Sequence, residues 1–161
     1  MRGLATAMKS PPLGTLPSCR FFEPTQAFVE AMMPFKGLQI FDAGSGVGHV
    51  TQLLRTFGFD VVPLDIYDRE SVVVTPVFAN ACTFDYPQGS AVLLCRPCHG
   101  SFPGWVLEQA EWCKCSFFIY VGKGGSIEDD LGCDFLDRSV TVTHDVGEEG
   151  ELMAALDLRE I

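Results

Sequence analysis

Phe41-Asp42-Ala43-Gly44-Ser45-Gly46-Val47-Gly48 reads as a glycine-rich turn between a strand and a helix. The apolar run Leu38–Phe41 before it suits a short buried strand. After it, Val50, Leu53, Leu54 and Phe57 recur at helical spacing, which predicts a helix over Val47–Phe57 with those four side chains inward. Gly-x-Gly-x-Gly lets backbone approach a ligand where side chains would clash. The helix N-terminus adds unpaired N–H groups aimed at the same place. In an open α/β sheet such a crevice lies at the carboxyl ends of the strands. A second strand is expected at Phe59–Leu64, after Gly58, and it ends on Asp65, seventeen residues past Gly48. A carboxylate there can accept hydrogen bonds from both hydroxyls of a ribose. Turn, helix and acid stand in the order of a nucleotide cradle.

These residues resemble the first motif of the class I S-adenosylmethionine-dependent methyltransferases, an acid and a spacer followed by Gly-x-Gly-x-Gly. Asp42-Ala43-Gly44-Ser45-Gly46-Val47-Gly48 matches it throughout. The dinucleotide pattern Gly-x-Gly-x-x-Gly fits less well, because its third glycine falls on His49. The resemblance implies an α/β, Rossmann-like three-layer sandwich, with a mostly parallel sheet and a C-terminal antiparallel hairpin. It also implies S-adenosylmethionine as cofactor. Gly44, Ser45 and Gly46 would line its methionine and ribose portions, and Asp42 would orient the turn and the cofactor's amino group. Asp65 would take the ribose hydroxyls, and Ile66 would pack on adenine. Asn80-Ala81-Cys82 stands where the family often has an acid that reads the adenine amino group. Here the Asn80 amide oxygen, or the Ala81 backbone, would serve. The resemblance covers roughly residues 25–161, with specific motifs in the first half only.

The rest of the chain alternates in the same way. A helix can start at Pro24, with Ala27, Phe28, Ala31 and Met32 on one face, and Pro34 with Gly37 ends it. A strand is expected within Val72–Ala79, others at Ala91–Cys95 and Phe117–Val121, and a helix over Gly104–Cys113 between the last two. Continuous apolar strands alternating with helices argue a parallel sheet covered on both faces. Val140–Thr143 and Leu152–Leu158 flank the turn-rich segment Val146-Gly147-Glu148-Glu149-Gly150-Glu151 and suit a hairpin. Met153-Ala154-Ala155-Leu156 also has a helical alternative, and the strand is preferred. Residues 1–22, with Pro11, Pro12, Gly14 and Pro17, read as a flexible arm ahead of one domain over 23–161.

Acceptor chemistry in this family is usually built on the loop after the fourth strand, here Cys95-Arg96-Pro97-Cys98-His99-Gly100-Ser101-Phe102-Pro103-Gly104-Trp105. Methyl transfer is an in-line displacement, so much of catalysis is positioning. A base helps only when the acceptor must lose a proton. His99 is the candidate base, its ordinary pKa of about 6.5 lying near working pH. Arg96 can fix an anionic acceptor through a bidentate contact. The alternatives stand beside these: His99 as a surface or capping residue, Arg96 in an internal ion pair. The segment shares one proline with the Asp/Asn-Pro-Pro-aromatic motif of nucleic-acid amino-methylating members, which does not support base methylation. The acceptor site needs a cover, from the arm through residue 34, from the loop at 96–105, or from a second subunit in a homodimer.

Cys95-x-x-Cys98-His99 also has the spacing of a haem attachment site, and Cys95-x-x-Cys98 that of a redox pair. Cys95, Cys98, Cys113 and Cys115 would make a zinc set. In a parallel sheet, however, the two pairs fall on opposite edges, about five residues at ~3.3 Å apart, so no metal site is expected. Thiols used as small apolar residues are the preferred reading.

Seven cysteines, an odd number, with no apolar signal region at the N-terminus point to reduced thiols in the cytoplasm. No run reaches the ~20 apolar residues a membrane helix needs, so no membrane partner is expected. The formal net charge of −10 would repel a phosphate backbone. Residues 128–161 carry eleven acids against Arg138 and Arg159, and read as a solvated face rather than a docking surface for a basic partner. The expected function is transfer of a methyl group from S-adenosylmethionine to a small-molecule or protein acceptor, without general nucleic-acid binding. The rivals are a non-catalytic methyltransferase-like binding or scaffold protein, and a nicotinamide-dependent oxidoreductase.

Overall fold

The computed structural model describes residues 8–9, 22–97, 100–123, 126–132 and 138–159. The apolar runs form five strands: β1 (Gln39–Ala43), β2 (Asp60–Asp65), β3 (Val77–Phe78), β4 (Ala91–Cys95) and β5 (Phe117–Gly122). They are followed by β6 (Val140–Thr143) and β7 (Leu152–Asp157). The seven make one sheet in the order β3-β2-β1-β4-β5-β7-β6. Pairs among the first five are parallel, and β7 runs antiparallel to both β5 and β6. From β1 the chain winds to β2 and β3 on one side, then returns to the other side of β1 as β4. That reversal opens a crevice at the carboxyl ends of β1 and β4.

Among the described residues four α-helices cover the sheet: α1 (Gln26–Met32), α2 (His49–Thr56), α3 (Phe102–Trp112) and α4 (Ser126–Leu131). Successive strand residues point to opposite faces, so each strand feeds two cores. Phe41, Leu94 and Tyr120 meet Val106 and Ala110 of α3 on one side. Ile40, Leu93 and Ile119 meet Phe28 and Met32 of α1 and Val50 and Leu54 of α2 on the other. Met153 and Ala155 join the second core while Ala154 and Leu156 join the first, which settles that segment as strand. The α/β three-layer architecture is the one the sequence implied.

Details differ. Phe57 caps α2 and is 48% exposed, because the helix stops at Thr56 and the chain turns away at Gly58. Within Val72–Ala79 only Val77 and Phe78 pair, with Leu64 and Asp65. The helix α4 has too few residues for a periodic signal; Glu128 and Asp129 in its first turn complement the helix dipole. The acidic C-terminal third is not uniformly solvated, since Asp130 and Glu151 are buried. Most of the expected arm lies outside the described residues; Met8–Lys9 pair in parallel with Tyr67–Asp68. Among the described residues no helix is long and apolar enough to cross a membrane.

Candidate functional site

The glycine turn is built from left-handed backbone. Gly44 and Gly48 have φ of +69° and +95°, a region L side chains rarely adopt. A Cβ on Gly48 would come within 3.0 Å of both the Cβ and the carbonyl oxygen of Val74, so this glycine serves packing. A Cβ on Gly44 would meet nothing within 4 Å and would project into open space. The turn's amides are largely spent inside the protein. Ser45 N–H donates to the Leu64 carbonyl at 2.9 Å, Gly46 N–H to Asp65 Oδ2 at 2.8 Å, and Gly48 N–H to the Ser45 carbonyl at 3.1 Å.

Asp65 is therefore turned inward. It is 4% exposed, Oδ1 accepting from the Tyr67 amide at 2.9 Å and Oδ2 from Gly46 and from Arg69 Nε at 3.3 Å. A carboxylate offers about four lone-pair directions, so one remains on Oδ1. Arg69 also stacks on the Tyr67 ring, 5.1 Å from its centroid. Asp42 is 2% exposed and accepts from Thr51 Oγ1 at 2.8 Å. Burial pushes its carboxyl up from 3.8 to about 6, with the Thr51 hydrogen bond opposing and repulsion from Asp65 adding. Ser45 Oγ is buried with no hydrogen-bond partner, a polar atom a ligand can satisfy.

A cavity of about 370 Å³ opens between these strand ends, in the size range of small-molecule sites. Asp42, Gly44, Ser45 and Gly46 wall it from the first turn, and Asp65 with Ile66 from the end of β2. Asn80 and Ala81 close it from beyond β3. Asn80 Oδ1 already accepts from the Cys82 amide at 2.9 Å, so its second lone pair and its NH₂ are what remain for a ligand. Sequence reasoning missed Phe22, His49, Tyr67, Arg69 and Phe102 on the same wall. Tyr67 and Arg69 were signalled only by nearness to Asp65. Phe22 fell in the expected arm, yet it is buried edge-on against Phe28, centroids 5.1 Å apart.

Arg96 reaches the cavity from the end of β4, with a left-handed φ of +46°. Its Nη1 donates to Glu149 Oε2 at 2.9 Å and lies 3.4 Å from Glu151 Oε2, whose side chain is 1% exposed. The guanidinium thus ties the loop after β4 to the hairpin through an internal ion pair. Cys98 and His99 lie outside the described residues. Burial, with Asp42 and Glu151 nearby, pushes the Cys95 thiol well up, which keeps it protonated and unreactive. The register Ala91↔Phe117 and Cys95↔Val121 puts Cys95 at the carboxyl edge of the sheet, with Cys113 and Cys115 beyond its amino edge.

Solved structures share this architecture. The 23S rRNA methyltransferase ErmE matches with a TM-score of 0.61 at 13% identity, covering 87% of this chain and 70% of ErmE. The 1,6-didemethyltoxoflavin-N1-methyltransferase of Burkholderia thailandensis, solved with 1,6-didemethyltoxoflavin and S-adenosylhomocysteine bound, gives 0.56 at 14% identity over 82% of this chain and 76% of its own. A candidate RNA methyltransferase from Pyrococcus horikoshii gives 0.57 at 12% identity over 94% and 91%. No protein-family model matches the sequence, and no curated protein matches it. The chain has the class I methyltransferase fold.

Proposed function

We propose that the cavity holds S-adenosylmethionine and that the protein moves its methyl group to a small-molecule or protein acceptor. The observation that carries this is the spending of the turn's amides on Leu64 and Asp65. A pyrophosphate at this place needs free N–H groups around it. A ribose and a cationic methionine portion do not, and they suit a wall bearing the Asp42 and Asp65 carboxylates. That disfavours the nicotinamide alternative. The similar toxoflavin enzyme, with S-adenosylhomocysteine bound, supports the same reading.

When bound, the cofactor supplies an electrophilic methyl group, which leaves positioning as the main task of the chain. Asp65 Oδ1 takes one ribose hydroxyl, and Oδ2 takes the other once Arg69 swings aside. Asp42 and the unpartnered Ser45 hydroxyl face the methionine portion, Ile66 packs on adenine, and Asn80 with the Ala81 backbone reads its edge. Arg96 acts as the clamp that sets the start of the acceptor loop, and His99 is the base where the acceptor must shed a proton. One domain from residue 23 onward carries these groups. The net charge of −10 argues against carrying over the rRNA named for ErmE. Free thiols at Cys82, Cys95, Cys113 and Cys115 suit the reducing cytoplasm.

The test is calorimetric titration with S-adenosylmethionine and S-adenosylhomocysteine, with NADH fluorescence in parallel. Binding of both adenosyl ligands, lost in Asp65→Ala, is expected. NADH binding in their place would sink the proposal. A non-catalytic binding protein is the second reading, favoured by the internal pairing of Arg96; ligand binding without turnover of any acceptor would establish it.

A further inference from the structure

Both tryptophans of the chain stand on one face of α3, and both face solvent. Trp105 and Trp112 are seven residues apart, two helical turns, and are 57% and 83% exposed. The opposite side of the helix is buried through Val106, Leu107 and Ala110, so its packing on the sheet does not need these rings. Glu108, also exposed, lies between them. At the Trp105 end α4 comes close: the Asp130 carbonyl oxygen lies 3.8 Å from where a Gly104 Cβ would stand. An open groove of about 630 Å³ runs between the two helices, walled by Trp105 and Glu108 on one side and Asp129 and Leu131 on the other. The neighbouring Asp130 is turned inward onto the Tyr120 hydroxyl.

The charge on this face is unbalanced. Glu111 is taken by Arg138 at 2.8 Å, whereas Glu108 and Asp129 have no ion-pair partner among the described residues. Tryptophan is enriched at binding hot spots, and its ring face attracts cations. We infer that this face docks a lysine- or arginine-rich polypeptide segment. Its methylene stems lie along the two indole rings, and its charged heads meet Glu108 and Asp129. The net charge of −10 steers such a partner in, and repels nucleic acid, an anionic membrane and a second copy of this chain. The acidic C-terminal third reads as solvated when taken alone; the fold singles out Asp129 by setting it opposite Trp105. Gly100 and Ser101 line the groove while Phe102 lines the 370 Å³ cavity, so the docked segment would lie beside that cavity. The inference stands on this face alone, whatever the cavity binds.

Tryptophan emission reports on nothing else, because the chain has no third tryptophan. The full chain would be titrated with a short synthetic peptide of alternating lysine and leucine, with its glutamate counterpart, and with spermine. A saturable blue shift with the lysine peptide only is expected. The exposed double variant Glu108→Gln/Asp129→Asn should weaken it about tenfold. Glu30→Gln/Asp60→Asn, which removes two exposed acids elsewhere, should weaken it less than about twofold. Equal weakening by both pairs would reduce the effect to bulk charge and overturn the proposal. So would no shift, spermine binding as tightly as the peptide, or a shift that grows with protein concentration alone.

Discussion

The amide of Gly46 donates to the Asp65 carboxylate at 2.8 Å, tying the glycine turn to the end of β2 nineteen residues later. Asp65→Ala leaves that buried amide without a partner, and stability should fall by about 1–3 kcal/mol. Urea denaturation would measure it. Asp65→Asn, which keeps an acceptor oxygen, should recover most of that loss.

Arg69 occupies the second lone pair of Asp65 Oδ2. Arg69→Met should free it at little cost, since a partly exposed i,i+4 pair contributes about 0–1 kcal/mol. S-adenosylhomocysteine affinity should then rise a few-fold in calorimetry. A weaker complex would mean that Arg69 contacts the ligand rather than blocking its seat.

Asp42 should make stability depend on pH. Its folded pKa of about 6 lies above the ordinary 3.8, so the folded chain holds more protons between those values. The stability it contributes is full below about pH 4 and lost as pH rises through about 6. Asp42→Asn should flatten that slope and add about 2–3 kcal/mol near neutral pH. Denaturation midpoints across this range would check it. A cationic ligand beside Asp42 would draw the proton off, so S-adenosylmethionine should bind more tightly as pH rises over the same interval. Asp65 and the Cys95 thiol also lie close enough to Asp42 to interact with its charge.

Arg96 and Glu151 form a buried pair across 55 positions of sequence. Arg96→Met strands a carboxylate that is 1% exposed, and should cost about 3–5 kcal/mol. Adding Glu151→Leu should restore part of it in a urea titration. If Arg96→Met leaves stability intact, the residue belongs to acceptor binding instead.

Gly44→Ala and Gly48→Ala should separate function from packing. At Gly48 the new methyl group meets Val74 at 3.0 Å, and thermal stability should drop by the equivalent of about 2–4 kcal/mol. At Gly44 the methyl group enters open space, so only the backbone cost of about 1–2 kcal/mol applies. Ligand affinity should fall sharply there.

The local grammar of the chain was readable without coordinates. Most strands are short apolar runs bounded by breakers, Val140–Thr143 alternates valine with threonine, α2 has a periodic face, and Asp42 through Gly48 is contiguous. Such signals depend on neighbours within one or two turns, so the succession of strands could be named, and so could Asp42, Gly44, Ser45, Gly46, Asp65, Ile66, Asn80 and Ala81, which line the 370 Å³ cavity. Four features could not be. The insertion of β7 between β5 and β6 rests on pairing between distant segments, as in Phe118↔Leu156. The inward turn of Asp65 depends on Gly46, and the burial of Glu151 on Arg96, contacts whose partners the sequence does not specify. The exposure of Trp105 and Trp112 depends on which side of α3 the sheet takes. The sequence by itself determined the strand–helix alternation and the glycine turn, because both are set by local sterics and periodicity. The tertiary structure decided which charges are already spent, because a carboxylate chooses its partner by distance in space and not by position in the chain.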